Sequence, residues 1–180
     1  MINKDIEKIL ITQEEIAKKV TEIAKKIDDT FNGEELIVVC VMKGSLIFTA
    51  DLIREINCPV ILDYMQVSSY GSGTASSRFI SVKRDLEQNI EGKNVLIVED
   101  IIDSGNTLFK LKELFDSKKA KKVAICTLLD KPSRRESQVN VDFIGFEIPD
   151  EFVVGYGLDY AQKYRSLPYI GILKPAVYEK

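Results

Sequence analysis

A four-residue apolar run that ends directly in two carboxylates constrains this chain more than any other stretch. Val95-Leu96-Ile97-Val98 is short, unbroken and rich in β-branched residues, the pattern of a strand covered on both faces in a parallel sheet. Glu99 and Asp100 follow without a spacer, where such a strand is expected to leave the core. Two adjacent carboxylates repel and lose water at high cost, so the pair requires a strand tip open to water, a cation or sugar hydroxyls. Asp103-Ser104-Gly105-Asn106-Thr107 then forms a turn of small polar residues, and Leu108, Leu111, Leu114 and Phe115 repeat at helical spacing behind it. The turn therefore sits at a helix N-terminus, where unpaired N–H groups and the positive dipole end suit a phosphate. On its own, such a turn reads as a connection in which Asp103 or Ser104 caps the helix. The buried strand and acidic pair ahead of it point to a site instead. It is not a Walker A loop, because Gly-x-x-x-x-Gly-Lys-Ser/Thr is missing and the turn holds no lysine.

The rest of the chain alternates helical and strand patterns. Thr12 with Glu15 makes a capping-box signature, and Ile16, Val20, Ile23, Ile27 and Phe31 then mark one face of a helix that Gly33 closes. Leu36–Met42 reads as a buried strand, followed by Lys43-Gly44-Ser45 and a helix from Leu46 to Ile56. A glycine turn after a strand can approach a ligand closely, but locally Lys43 reads equally well as a surface lysine. Residues 60–67 read as a strand near a sheet edge. Residues 68–78, SSYGSGTASSR, bury almost nothing and read either as a hairpin tip or as a flexible lid; residues 79–82 return as the hairpin's second strand. Lys122–Leu129 is another apolar strand, so Lys131 stands at a strand exit, on the side of the acidic pair where ligands collect in open α/β sheets. Short strands are expected near 142–147, 153–156 and 169–173. No period repeats and no linker divides the chain. The expectation is one α/β domain over 1–180 with a mainly parallel central sheet flanked by helices.

Bulk properties exclude several classes. The chain has 180 residues, 45% hydrophobic and 29% charged, with net charge −3. It carries no basic footprint for nucleic acid and no apolar run long enough for a membrane span. MINKDIEKIL is too charged for a signal peptide's apolar core. Cys40 and Cys126 lie in apolar strands and Cys58 in a turn, which suits core fillers in a reducing, cytoplasmic setting and not a disulfide framework. Histidine is absent, so Ser-His-Asp and Cys-His catalysis and His-ligated zinc are out. Acid–base work falls to carboxylates, lysines or tyrosines, and any metal is a hard, oxygen-seeking cation.

The stretch V-E-D-I-I-D-S-G-N-T resembles the phosphoribosyl-diphosphate loop (99–107) of type I phosphoribosyltransferases, most closely the hypoxanthine-guanine branch. Met42-Lys43-Gly44, Ser69-Tyr70, Asp130-Lys131-Pro132, the F-x-x-x-I-P-D-x-F-V-V-G-Y-x-L-D-Y block and Arg165 extend the likeness, in order, over most of residues 36–175. The resemblance implies a fold with a small hood of mixed strands built from the N- and C-terminal segments and a hairpin lid. It implies transfer of a phosphoribosyl group from 5-phosphoribosyl 1-diphosphate to hypoxanthine or guanine, with Mg²⁺ as cofactor and a homo-oligomer, dimer or tetramer, as the working form. Asp103, Ser104, Gly105, Asn106 and Thr107 would hold the 5′-phosphate, with Asp103 also the general base. Glu99 and Asp100 would face the ribose hydroxyls, directly or through Mg²⁺. Lys131 would donate to the purine 6-oxo group, Phe152 would stack on the base and the Val153 backbone would meet its edge. Asp159 would contact the purine and ligate a Mg²⁺ that also holds pyrophosphate oxygens. Lys43, Gly44, Arg165, Ser69 and Tyr70 would hold pyrophosphate, assisted by Arg135 or Arg134. A xanthine-preferring sister enzyme and a non-catalytic phosphoribosyl-diphosphate sensor acting on nucleic acid are the alternatives.

Overall fold

The computed structural model describes residues 4–69 and 80–179. The body is a six-stranded sheet of order β4-β3-β2-β5-β6-β7, made of β2 (Leu36–Met42), β3 (Val60–Ser69), β4 (Ile80–Arg84), β5 (Asn94–Ile102), β6 (Lys122–Asp130) and β7 (Phe143–Glu147). Every pairing is parallel except β3 with β4. The hairpin tip expected over 68–78 falls almost wholly outside the described residues.

Why these runs are strands is visible in how they bury. Side chains alternate between the sheet's two faces: Ile37, Val39, Val95, Ile97 and Ile125 join one apolar cluster, while Leu36, Val38, Leu96, Val98, Ala124 and Cys126 join the other. Helix α3 (Asn106–Ser117) covers the first face through Leu108, Leu111 and Phe115. Helices α1 (Gln13–Phe31) and α2 (Leu46–Glu55) cover the second. The α1 capping box forms as the sequence requires, with the Glu15 N–H donating to the Thr12 hydroxyl and the Thr12 N–H to the Glu15 carboxylate. At its far end the left-handed turn begins at Asn32, φ 48°, one residue before the expected Gly33.

A second sheet, of order β1-β9-β8, stands over one end of the first. It comprises β1 (Ile6–Ile11), β8 (Val153–Val154) and β9 (Ile170–Leu173), with both ladders antiparallel. The short helix α4 (Pro175–Tyr178) follows it. Tyr156 ties this hood to the body: its hydroxyl donates to Asp51 Oδ2 on α2 at 2.5 Å. Among the described residues, no helix is long and apolar enough to cross a membrane.

Candidate active site

The topology opens a crevice at one place. The chain leaves β2 through α2 to reach β3 on one side, and leaves β5 through α3 to reach β6 on the other. The neighbours β2 and β5 are therefore the point where the winding reverses, and their C-terminal ends are where α/β sheets gather ligands. The ladder shows the parting directly. β2 pairs with β5 only as far as Cys40 and Val98, while β2 stays with β3 to Met42 and β5 stays with β6 to Ile102. The sequence places Glu99 and Asp100 just past the strand. They lie inside it instead, beyond the point where one neighbour has left.

A cavity of about 460 Å³ occupies this split. Its walls include Lys43 and Gly44 after β2, Glu99, Asp100, Asp103, Ser104, Gly105 and Thr107 along β5 and its loop, and Asp159 and Arg165 from the hood. Gly44 sits so close to the acidic pair that a Cβ there would lie 1.6 Å from Asp100 Oδ2. Burial pushes Glu99 well above the usual carboxylate range, and the neighbouring Asp100 charge pushes it further. Burial also raises Asp100, against the pull of its hydrogen bonds and of Arg165. A cavity that penalises two negative charges in this way is one a cation would relieve.

The loop from Asp103 to Thr107 is held from behind. Gly105 precedes α3 at φ 82° with no side-chain cap, so neither Asp103 nor Ser104 caps the helix; only a long 3.4 Å contact links the Asn106 N–H to the Ser104 hydroxyl. The Ser104 carbonyl accepts from the Glu136 and Ser137 N–H groups at 2.9 and 3.0 Å. Asn106 does not face the cavity: its amide donates to Glu136 Oε2 at 2.9 Å and accepts from the Ser137 hydroxyl. Asp103 Oδ1 is buried without a hydrogen-bond partner among the described residues.

On the opposite wall, the Arg165 guanidinium is already aimed. Nη1 donates to the Gly157 carbonyl at 2.7 Å, and Nη2 lies 2.7 Å from Asp159 Oδ1. Asp159 in turn accepts from the Gln162 N–H at 2.8 Å. Neither Arg134 nor Arg135 lines the cavity. Arg134 pairs with Asp150 at 2.8 Å, and Arg135 pairs with Asp130 while its stem packs behind Gly105.

Of the four residues expected at the purine, Asp159 lines this cavity, while Lys131, Phe152 and Val153 stand outside it, toward the hood. The Lys131 main chain is tied to β5 through its N–H and the Ile102 carbonyl, 2.9 Å. The residue is only 8% exposed and Nζ donates to the Glu151 carbonyl at 2.6 Å, not to the acidic pair. Glu151 adjoins Phe152, which is 38% exposed, and Val153 is buried behind it. Of the remaining expected residues, Ser69 ends β3, and Tyr70 lies outside the described residues.

The donors fit a divalent cation of the hard type. Glu99, Asp100 and Asp159 offer only carboxylate oxygens, yet among the described residues no three such groups converge tightly enough to cage a metal alone. That is the arrangement Mg²⁺ favours, with one or two carboxylates and the remaining positions left to water and substrate phosphates.

The chain matches the phosphoribosyl transferase domain model over residues 7–161. It is 54% identical to the hypoxanthine-guanine phosphoribosyltransferase of Bacillus subtilis over 179 residues, 99% of each chain. Over 165 residues it is 52% identical to the hypoxanthine phosphoribosyltransferase of Salmonella typhimurium, covering 91% of this chain and 93% of that one. The crystal structure of a hypoxanthine phosphoribosyltransferase from Staphylococcus aureus matches with a TM-score of 0.94 at 45% identity, over 98% of this chain and 96% of that one. With a split sheet, an acidic pair and a phosphate loop in the order its sequence announces, the chain belongs to the phosphoribosyl transferase family, in the hypoxanthine-guanine branch.

Proposed function

We propose that this chain moves the phosphoribosyl group of 5-phosphoribosyl 1-diphosphate onto hypoxanthine or guanine, giving IMP or GMP and pyrophosphate. The observation that carries this reading is the cavity shared by the Asp103–Thr107 loop, the acidic pair and the Lys43, Gly44 and Arg165 group. One end offers a helix N-terminus for a phosphate monoester; the other offers cations for a diphosphate. Between them the two carboxylates suit ribose hydroxyls.

In this reading a purine imidazole nitrogen attacks C1 of the ribose as the bond from C1 to the pyrophosphate oxygen breaks, and the ring proton passes to Asp103. Arg165 and Lys43 hold the departing charge. Mg²⁺, held by Glu99, Asp100 or Asp159, would neutralise phosphate oxygens when bound. Lys131, a donor, favours a 6-oxo over a 6-amino purine, because an amino group would leave two donors facing each other. Ser69, Tyr70 and the lid over 68–78 would cover the pyrophosphate. We assign the whole of 1–180 to one catalytic unit, working in the cytoplasm as a homo-oligomer; Leu46, Leu62 and Tyr64 expose apolar surface that a second copy would cover.

The test is purified protein with MgCl₂, 5-phosphoribosyl 1-diphosphate and hypoxanthine, guanine or xanthine, followed by ultraviolet absorbance. Turnover of hypoxanthine or guanine is expected; dominant xanthine turnover, or none with any purine, overturns the assignment. Asp103→Asn should lower kcat about 10²- to 10⁴-fold, the worth of a general base, with the 5-phosphoribosyl 1-diphosphate KM nearly unchanged. An unaltered kcat removes Asp103 from the chemistry.

A further inference from the structure

Phe152 is more firmly held than a half-exposed ring at the head of a two-residue strand needs to be. The Tyr178 ring lies nearly parallel to it, with centroids 4.8 Å apart and planes at 20°. Tyr160 meets it edge-on, at 5.6 Å and 88°. A ring fixed on one face and at one edge cannot turn, so what remains exposed is a flat apolar surface in a set plane.

The segment that brings Tyr178 there is itself anchored. The Leu173 N–H donates to the Phe152 carbonyl at 2.8 Å, and the Lys174 N–H to the Asp5 carbonyl at 3.0 Å. Lys174 Nζ reaches the Lys4 carbonyl at 2.6 Å. Pro175 opens α4, and the Val177 N–H closes onto the Lys174 carbonyl at 2.9 Å. Val177 and Tyr178 pack with the hood cluster of Ile6, Val154, Tyr169 and Leu173. Val153, beside Phe152 in the chain, sinks instead into the body's core. Lys131 donates to the carbonyl of Glu151, the residue just before Phe152, so the flat surface and the purine-reading ammonium are held by adjacent residues.

We infer that Tyr178 is a positioning residue for the base: it backs the Phe152 ring and presents that ring's other face to the purine. The inference rests on the proposed transfer to a purine and assigns Tyr178 no contact with the base itself. An offset stack contributes through the matched planes of two rings, so another aromatic at 178 preserves it and an aliphatic does not.

Steady-state kinetics on the full chain test this, with hypoxanthine and 5-phosphoribosyl 1-diphosphate varied separately. Tyr178→Ala should raise the hypoxanthine KM about two- to tenfold, the range that one aromatic pair spans, and leave the 5-phosphoribosyl 1-diphosphate KM unchanged. Tyr178→Phe should restore the wild-type value. Tyr178→Leu keeps apolar bulk and the melting temperature but should raise the hypoxanthine KM as alanine does. An unchanged hypoxanthine KM in the alanine and leucine variants overturns the inference, as does a parallel rise of both KM values. A fall in the hypoxanthine KM also overturns it, because Tyr178 would then be occupying the base's place. Wild-type protein that turns over no purine defeats the functional reading instead, so the two failures are distinct.

Discussion

Gly44→Ala isolates the closest approach in the cavity. Gly44 does not adopt a left-handed φ, so alanine is permitted by the backbone and any effect comes from contact alone. The added Cβ would stand 1.6 Å from Asp100 Oδ2, 2.6 Å from its Cγ and 3.4 Å from its Cβ. Ordinary contact begins near 3.4 Å, so the carboxylate or the Lys43–Gly44 turn must shift by about 2 Å. The carboxylate is not free to swing, since Asp100 Oδ1 accepts from the Ile101 N–H at 2.7 Å. A misplacement of about 1 Å costs on the order of 10²-fold in rate, so kcat/KM for 5-phosphoribosyl 1-diphosphate should fall at least about that far, or ~2.7 kcal/mol of transition-state binding. Overpacking should also lower stability by about 1–3 kcal/mol, which for a chain this size is roughly 2–4 °C in Tm per kcal/mol.

Initial rates with each substrate varied, beside a thermal melt, separate the two effects. Gly33→Ala supplies the control: its φ of 80° penalises any side chain, but nothing lies within 4 Å of a Cβ there. It should lose about 1–2 kcal/mol of stability with kcat/KM intact. If Gly44→Ala keeps more than about a tenth of wild-type kcat/KM, a loss under about 1.4 kcal/mol, the reading of a rigid contact between the turn and the acidic pair is wrong.

Gly105→Ala should act on the end of the cavity where α3 begins. Its φ of 82° disfavours alanine, and the Cβ would meet the Ser137 carbonyl oxygen at 2.9 Å; the 5-phosphoribosyl 1-diphosphate KM should rise about tenfold or more, given ~1–2 kcal/mol of backbone strain alone, and an unchanged KM would show that the loop re-forms without it. Asp28 is tuned for folding: burial raises its pKa, but the Asn57 and Cys58 donors outweigh that and leave it below 3.8. Its contribution is therefore full above the unfolded value, near 3.8, and lost as pH falls through the lower folded value. Asp28→Asn should cost about 1–3 kcal/mol at neutral pH, and its Tm deficit should shrink in acid; a deficit that persists unchanged would mean that the charge contributes nothing.

What sequence discloses and what it withholds divide along a physical line. The central strands, the α1 capping box and the helix after the phosphate loop are legible because each depends on residues near in sequence: apolar alternation, Thr12 with Glu15, Leu108 with Leu111 and Phe115. β1 is not legible in this way. Its Ile6-Glu7-Lys8-Ile9 stretch mixes charged and apolar residues and becomes a strand by pairing with β9, near the other end of the chain. The hood loop is equally opaque. Ala161, Gln162 and Tyr164 take positive φ, which no residue type there announces; closure of the loop around Arg165 and Asp159 imposes it.

The site divides the same way, and Lys43 shows why. Nothing beside it in the chain distinguishes a ligand-facing lysine from a surface one. What decides is that β2 loses β5 after Cys40 yet keeps β3 to Met42, so residue 43 emerges over the gap and not against a neighbouring strand. Arg135 makes the converse case. Its charge suggests a substrate contact, but the turn after β6 sets it behind Gly105 against Asp130, where it supports the phosphate loop from the far side. Residue type supplies a side chain's chemistry; which strand its neighbour abandons, and at what residue, determines whether that chemistry meets the substrate.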